Sequence, residues 1–394
     1  MPEMIKESNS SRINLDNCLF VSLLLFIAGY LLFGRNVGAK LYYVTSVIFI
    51  CYVVKNIDIM RKVFNLNTIK LSASLICYSI LVTMYYTPGE FFYIKSGLRL
   101  LAFLMIVTIC LSSKNKLHWF MSLFVASVVI GSVPDLINYY GSGAIQDKAP
   151  FGVGLKYHWH IFAGGIYAMT MLISLSLFNN AFSITSKILW MLAVIYSSTL
   201  VYLSQSRAAI VSVVLASVIY LFFNSKRRLL SAGIFFGLAS SFIMVMDGIG
   251  YKIVSLINRR DASRFDIWRS YLDYVQEYIV FGRGLAGNFT NNHIQVTEPH
   301  NLYIYRLLTG GVVGLVILLL LVSSLVAINL QALKSVHSGI LPALTFFILV
   351  FNFFDSRQIV DGVGVGWILF WLPIGLVAAC EFVTNGIDNI SIEA

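Results

Sequence analysis

Residues 297–322 read "TEPHNLYIYRLLTGGVVGLVILLLLV". A polar lip of Pro299, His300 and Asn301 leads without a break into an apolar run. About 20 apolar residues cross a bilayer as a helix, and this run is long enough. Histidine and asparagine are expensive to bury unless they find partners. The stretch therefore points to a membrane fold and asks why polar groups sit on the lip of one of its helices.

The remainder of the chain has the same solvent preference. Of 394 residues, 58% are hydrophobic and 12% charged, with mean hydropathy +0.81. A soluble domain carries about 25% charged residues. Spans are expected near 17–33, 39–54, 69–86, 97–112, 117–136, 159–178, 186–204, 208–223, 229–246, 303–329, 339–354 and 363–383. Runs of this length are too long for transmembrane strands. The expected fold is an all-α polytopic membrane protein of about 12 transmembrane helices. It forms a single membrane domain, 1–394, with one large loop, 247–302, carrying amphipathic helix between spans nine and ten. The polar start and the lack of a small-residue cleavage site suggest a retained first span rather than a removed signal peptide.

Short loops set orientation through Lys and Arg. Lys55, Arg61, Lys62, Lys70, Lys114, Lys116, Lys187, Lys226, Arg227, Arg228 and Lys334 fall in alternate loops, with Lys6 and Arg12 at the start. That side is assigned to the cytoplasm, with both termini. The long loops near 137–158 and 247–302 lie opposite. The net charge of +10 is then mostly a topology signal and gives no argument for nucleic acid. Cys18, Cys51, Cys77, Cys110 and Cys380 all fall within expected spans, in no metal-type pair, so disulfides and thiolate metal sites are not expected.

Ionisable groups at membrane depth are costly, so each is a candidate site. Arg207, in "YLSQSRAAIVSVV", stands between two spans with almost no loop. A guanidinium there suits bidentate binding of phosphate oxygens, or it snorkels to headgroups. The stretch "NRRDASRFDIWRSYLDYVQEYIVFGRG" reads as an amphipathic helix over 263–280. Its face of Trp268, Tyr271, Leu272, Val275, Tyr278 and Ile279 suits the membrane–water interface. Arg260, Arg264 and Trp268 are spaced by four, along one edge of that face. Arg269 points elsewhere. These arginines either meet lipid headgroups or form a site. Gly282 and Gly284 mark a turn. Asn301 can cap the following helix. His300 is the best-placed neutral base on this side; alone it could equally be structural. His158 and His160, two apart, face away from each other, which disfavours a metal site. Asp355, Arg357 and Asp361 in "NFFDSRQIVDGVGVG" either pair with one another or line the same cavity.

At "SQSRAA", "SRFDIW", "FGRG" and "PHNLYIYRLLTGGVVGL" the chain resembles the bacterial O-antigen ligase and O-antigen polymerase superfamily. The shared features are an arginine opening a span, an arginine four residues before tryptophan, a glycine turn, and His-Asn before a glycine-punctuated helix. Within it the chain looks most like the ligase that joins O-antigen to lipid A–core. The twelve-span layout, the single large loop before His-Asn and "YHWH" at the start of span six carry that likeness. Asp355 departs from it, since the ligase often has glutamate there.

The resemblance implies a class C-like glycosyltransferase in the bacterial inner membrane, with its active site facing the periplasm. The donor would be a glycan on undecaprenyl pyrophosphate and the acceptor a sugar hydroxyl of lipid A–core, with inversion and without metal or other cofactor. Arg207 and Arg264 would hold the pyrophosphate, and His300 would be catalytic, assisting the acceptor hydroxyl. Arg260, Asn301, His158 and Asp355 are candidate substrate-binding residues. Two alternatives stand beside this. One is an O-antigen polymerase with the same donor chemistry. The other is a twelve-span transporter, against which count the short loop between spans six and seven and the absence of a visible repeat.

Overall fold

Lipid offers no hydrogen bonds, so each crossing must satisfy its own backbone, and a helix does so. The computed structural model describes residues 15–142, 151, 159–224, 262–286, 299–335, 339–355 and 358–392. Most of these residues are helical, with no strand among them. The order is α1 (Leu15–Phe33), α2 (Arg35–Lys55), α3 (Ile57–Phe64), α4 (Asn67–Tyr86), α5 (Phe91–Leu111), α6 (Lys114–Gly141) and α7 (His160–Asn180). There follow α8 (Ile184–Leu203), α9 (Arg207–Asn224), α10 (Ala262–Val275), α11 (Leu302–Ser335), α12 (Ile340–Phe354), a π turn (Trp367–Trp371) and α13 (Leu372–Ile392). Ten described helices are long and apolar enough to cross a membrane, and Ile340–Phe354 is a shorter apolar one. The protein is an all-α polytopic membrane protein. Every expected span except 229–246 coincides with a described helix; that span lies outside the described residues.

Two short elements differ from the sequence reading. Helix α3 was expected only as a basic loop. It buries Met60 and Val63 and exposes Arg61 and Lys62, so eight residues are enough for an amphipathic turn at the membrane surface. Helix α10 stops at Val275 and continues as a 3-10 turn, Gln276–Tyr278. Its apolar face is not given over to lipid. Ile267, Tyr271 and Val275 are buried against Ile304 and Leu308 of α11, while Leu272 and Ile279 remain exposed. The first turns of α11 offer an apolar surface at the same height, and packing on protein removes more area from water.

Helix α7 is the most enclosed crossing, and α8 and α2 present most of their surface outward. At the end of the bundle away from His300, buried Glu381 of α13 accepts the Asn67 and Thr68 N–H groups at 2.8 and 3.1 Å. A carboxylate there satisfies orphan donors of α4 and complements its dipole.

The long helix α11 is not continuous. Gly311 has φ 60° and ψ −163°, a region open essentially to glycine alone. The break strands backbone groups at depth, and the segment 279–284 supplies their partners. The Val312 N–H donates to Ile279 O at 2.8 Å, and the Arg283 and Gly284 N–H groups donate to Leu308 O and Thr309 O at 2.8 and 2.9 Å. From α4, the Tyr78 hydroxyl donates to Gly310 O at 2.9 Å. The approach leaves no room for side chains. A Cβ on Gly282 (φ 72°) would lie 2.3 Å from the Gly310 nitrogen, and one on Gly311 2.2 Å from Val280 O.

Gly311→Ala and Gly282→Ala should therefore each destabilise the fold, since the backbone conformation alone costs about 1–3 kcal/mol and the clash adds to it. Gly386→Ala, with nothing within 4 Å of the added carbon, should be neutral or slightly stabilising. Thermal unfolding of the detergent-purified variants measures the contrast; equal midpoints for all three would contradict it.

Candidate active site

Three corners meet at one end of the bundle. The first is the start of α11. Asn301 is buried, and its Oδ1 accepts the Tyr303 and Ile304 N–H groups at 2.9 and 3.1 Å. This is an N-cap, and it anchors the first turn. His300, just before it, has φ 51°. Such a conformation is costly for a residue with a Cβ, so its neighbours must impose it. On one side the Trp268 indole N–H donates to Pro299 O at 2.9 Å, while the Trp268 ring stands edge-on to Phe353 with centroids 5.5 Å apart. On the other side the His300 Nδ1 lies 3.4 Å from the Asp355 Oδ1.

The second corner is the end of α12. Asp355 is its C-cap, and its carboxylate is 3% exposed against 32% for the His300 side chain. A buried acid thus backs a ring whose other edge reaches solvent. His160, which opens α7, lies within electrostatic reach of Asp355.

The third corner joins α8 to α9. Gln205 has φ 53°, the Ser206 Oγ accepts the Ala209 N–H at 3.3 Å, and Arg207 opens α9 exposed. Among described residues, Gln205 and His300 are the non-glycine positions with positive φ. Backbone strain thus gathers beside two of the residues singled out in the sequence.

Helix α7 passes between the corners without side chains in the way. A Cβ on Gly164 would lie 2.5 Å from the Ser204 Oγ, and one on Gly165 2.8 Å from the Phe351 ring. The glycine pair brings the Arg207 corner and the α12 helix onto one backbone.

The structure brings His300, Asp355 and Asn301 together, with Asn301 committed to the cap. Arg264 lies on α10 one turn before Trp268. Arg269 on the same helix is exposed. Arg260, His158 and Arg357 lie outside the described residues. Asp361 does not pair with Asp355; its Oδ1 accepts the Gly362 N–H at 2.6 Å. Among described residues, no group of three His, Cys, Asp or Glu side chains is placed to hold a metal.

The sequence reading missed Arg306. It is fully buried inside α11, and its Nη2 donates to Leu75 O at 3.1 Å and to the Ser79 Oγ. Its Nε and Nη1 have no hydrogen-bond partner, and no carboxylate pairs with it among described residues. An ionisable residue inside an apolar run is the signal that marks it. It braces α11 against α4 one turn before the break.

A family model described as O-antigen ligase matches residues 192–319. The match supports membership of the O-antigen ligase/polymerase superfamily. It runs from α8 through the Arg207 corner, α10, the glycine turn and the lip of α11 to a point beyond the break. Comparison with curated proteins finds no match.

Asn301→Ala should cost about 0.5–2 kcal/mol of stability, and Asn301→Ser should restore most of it. Thermal unfolding is the measurement. A Ser variant as unstable as the Ala variant would show that the cap is not what Asn301 contributes.

Proposed function

We propose that this protein is an inverting, metal-independent glycosyltransferase. It moves O-antigen polysaccharide from undecaprenyl pyrophosphate to a sugar hydroxyl of lipid A–core, at the periplasmic face of the bacterial inner membrane. The observation that carries the reading is the pairing of half-exposed His300 with buried Asp355 at the lip of α11.

The chemistry follows from that pair. The Asp355 Oδ1 accepts from Nδ1–H and fixes the tautomer, leaving Nε2 to take a proton. The acceptor hydroxyl attacks the anomeric carbon and its proton passes to His300 Nε2. The bond from that carbon to the phosphate oxygen breaks, and the electron pair leaves with the pyrophosphate. Attack opposite the leaving group inverts the centre. Negative charge grows on the leaving group as the bond breaks, so fixed guanidinium groups favour the transition state over the ground state. Arg207 and Arg264 are assigned that task. Lipid-linked substrates present their polar ends at the membrane surface, which is why the lip of a span carries a histidine.

His300→Ala should reduce the transfer rate at saturating donor by about 10²–10⁴-fold, the usual contribution of a positioned base, with donor binding retained. His300→Gln should fail alike, because an amide takes no proton near neutral pH. Asp355→Asn should be slower than wild type and faster than His300→Ala. Near-normal turnover by the Gln variant would remove His300 from the base role. Arg207→Lys and Arg264→Ala should impair transfer strongly and Arg269→Ala mildly, and a strong chelator should leave transfer intact.

In cells, deletion should strip the whole polysaccharide ladder from lipopolysaccharide while long chains persist on the carrier lipid. A core bearing one repeat unit would instead identify a polymerase. A cysteine at Asn291 should react with a membrane-impermeant thiol reagent once the outer membrane is permeabilised; labelling only in inverted vesicles would reverse the orientation.

A further inference from the structure

Asn352 and Gln358, three residues to either side of Asp355, line a cavity of about 320 Å³ that the reaction as described does not use. One wall is the last turn of α12, with Phe351 and Asn352. Another is the segment 358–366 that follows Asp355. The α1–α2 corner contributes Arg35, and Trp159 stands at the start of α7. The cavity falls outside the matched residues 192–319, apart from any feature on which the family match rests.

Its walls are held in place. The Trp371 Nε1 donates to Ile359 O at 2.7 Å and the Trp367 Nε1 to Asp361 O at 3.2 Å. These two indoles of the π turn pin the segment 358–366 from beneath. A Cβ on Gly362 would lie 3.2 Å from the Arg35 Nη2, so the bare glycine lets the guanidinium reach this wall. Trp159 is half exposed, and Trp367 forms part of the floor.

The polar groups show what the cavity would hold. Asn352 Nδ2 donates to Ile348 O and Gln358 Nε2 to Val360 O, at 2.7 and 3.0 Å. Asp361 Oδ1 is taken by the Gly362 N–H. What remains on these three side chains is mixed: the oxygens Asn352 Oδ1, Gln358 Oε1 and Asp361 Oδ2, and one further N–H on each amide. Among described residues, no ion pair joins Arg35 to Asp361. With one carboxylate against one guanidinium the lining has no net charge to draw a phosphate, and its amides offer donors and acceptors together. They suit a ring of hydroxyls, whose apolar C–H face packs on indole and phenyl surfaces. The volume is at the small end of ligand pockets, enough for a sugar residue and too little for a long glycan.

We propose that this cavity is the acceptor-sugar subsite, binding one neutral sugar residue through Asn352, Gln358, Asp361 and Arg35 with Trp159 as a stacking surface. The assignment rests on the transferase reading above, in which the attacking hydroxyl must lie within reach of His300. A sugar seated against Asn352 is one helical turn from Asp355, the group that orients that histidine.

The test uses the full-length protein in lipid nanodiscs. The probe is free core oligosaccharide, released by mild acid from the lipopolysaccharide of the same bacterium. Its binding is read from tryptophan fluorescence, to which Trp159 and Trp367 contribute. A saturable change is expected. Asp361→Asn and Asn352→Ala should weaken it about tenfold, and so should Arg35→Ala, an exposed position where folding is not at risk. In transfer assays the same variants should raise KM for acceptor about tenfold while kcat and donor KM hold. Unchanged acceptor KM and binding in the Arg35 and Asn352 variants would overturn the proposal. So would a rise in donor KM alone, or saturable binding of free O-antigen oligosaccharide in place of core. If wild-type protein transfers nothing yet binds core oligosaccharide in a variant-sensitive way, the transferase reading fails and the saccharide site stands. If transfer is normal in every variant, the subsite fails and the transferase stands.

Discussion

A helix broken at membrane depth has only other protein groups with which to replace its lost hydrogen bonds. In α11 the break at Gly311 is closed by the segment 279–284, backbone to backbone, with the Tyr78 hydroxyl covering the Gly310 carbonyl. That closure determines where α10 can be. Held by its C-terminal turn against the middle of α11, α10 lies back along the first turns of the same helix and buries Ile267, Tyr271 and Val275 there. Trp268 then arrives under Pro299, and the backbone at His300 follows. The glycines of "FGRG" and "TGG" touch no substrate on the proposed reading. They are nonetheless the reason that the histidine faces the way it does.

The division between exposed and buried polar groups fits the same logic. Asn301 and Glu381 are buried because each completes a helix start. Asp355 is buried behind His300, where low dielectric strengthens its influence on the ring. Arg207 and His300 keep contact with solvent. Arg306 is the exception, a charge enclosed within α11 and bonded through one nitrogen to α4. The superfamily match ends near the middle of the bundle's last third, whereas Asp355 lies after it and the cavity is lined from both sides of it, by Arg35 and Trp159 before and by residues 351–370 after.

Much of the fold was legible because length and apolarity leave a membrane span few alternatives. The crossings, the glycine turn, the cap at Asn301 and the prominence of His300 could be read directly from residue types. What stayed hidden depends on the third dimension. The break at Gly311 looked like punctuation in a continuous helix, since its compensation comes from a segment some thirty residues away. The apolar face of α10 was assigned to lipid because sequence cannot tell one apolar neighbour from another. The pairing of His300 with Asp355 joins two loops separated by a whole helical hairpin. Arg306 could have been noticed as a charge in an apolar run, but its partners, a carbonyl and a hydroxyl of α4, carry no pattern.

Helix α7 has a consequence of a different kind. Its adjacent glycines, Gly164 and Gly165, meet the Ser204 hydroxyl and the Phe351 ring respectively. On the proposed reading, the first contact faces the corner that holds a departing phosphate and the second the helix that backs the base. The gap between the two halves is then gauged by a bare polypeptide backbone, a rigid ruler rather than an adjustable arm. A methyl group on either glycine would recalibrate that ruler, altering the chemistry from inside the bundle without touching any atom that meets a sugar.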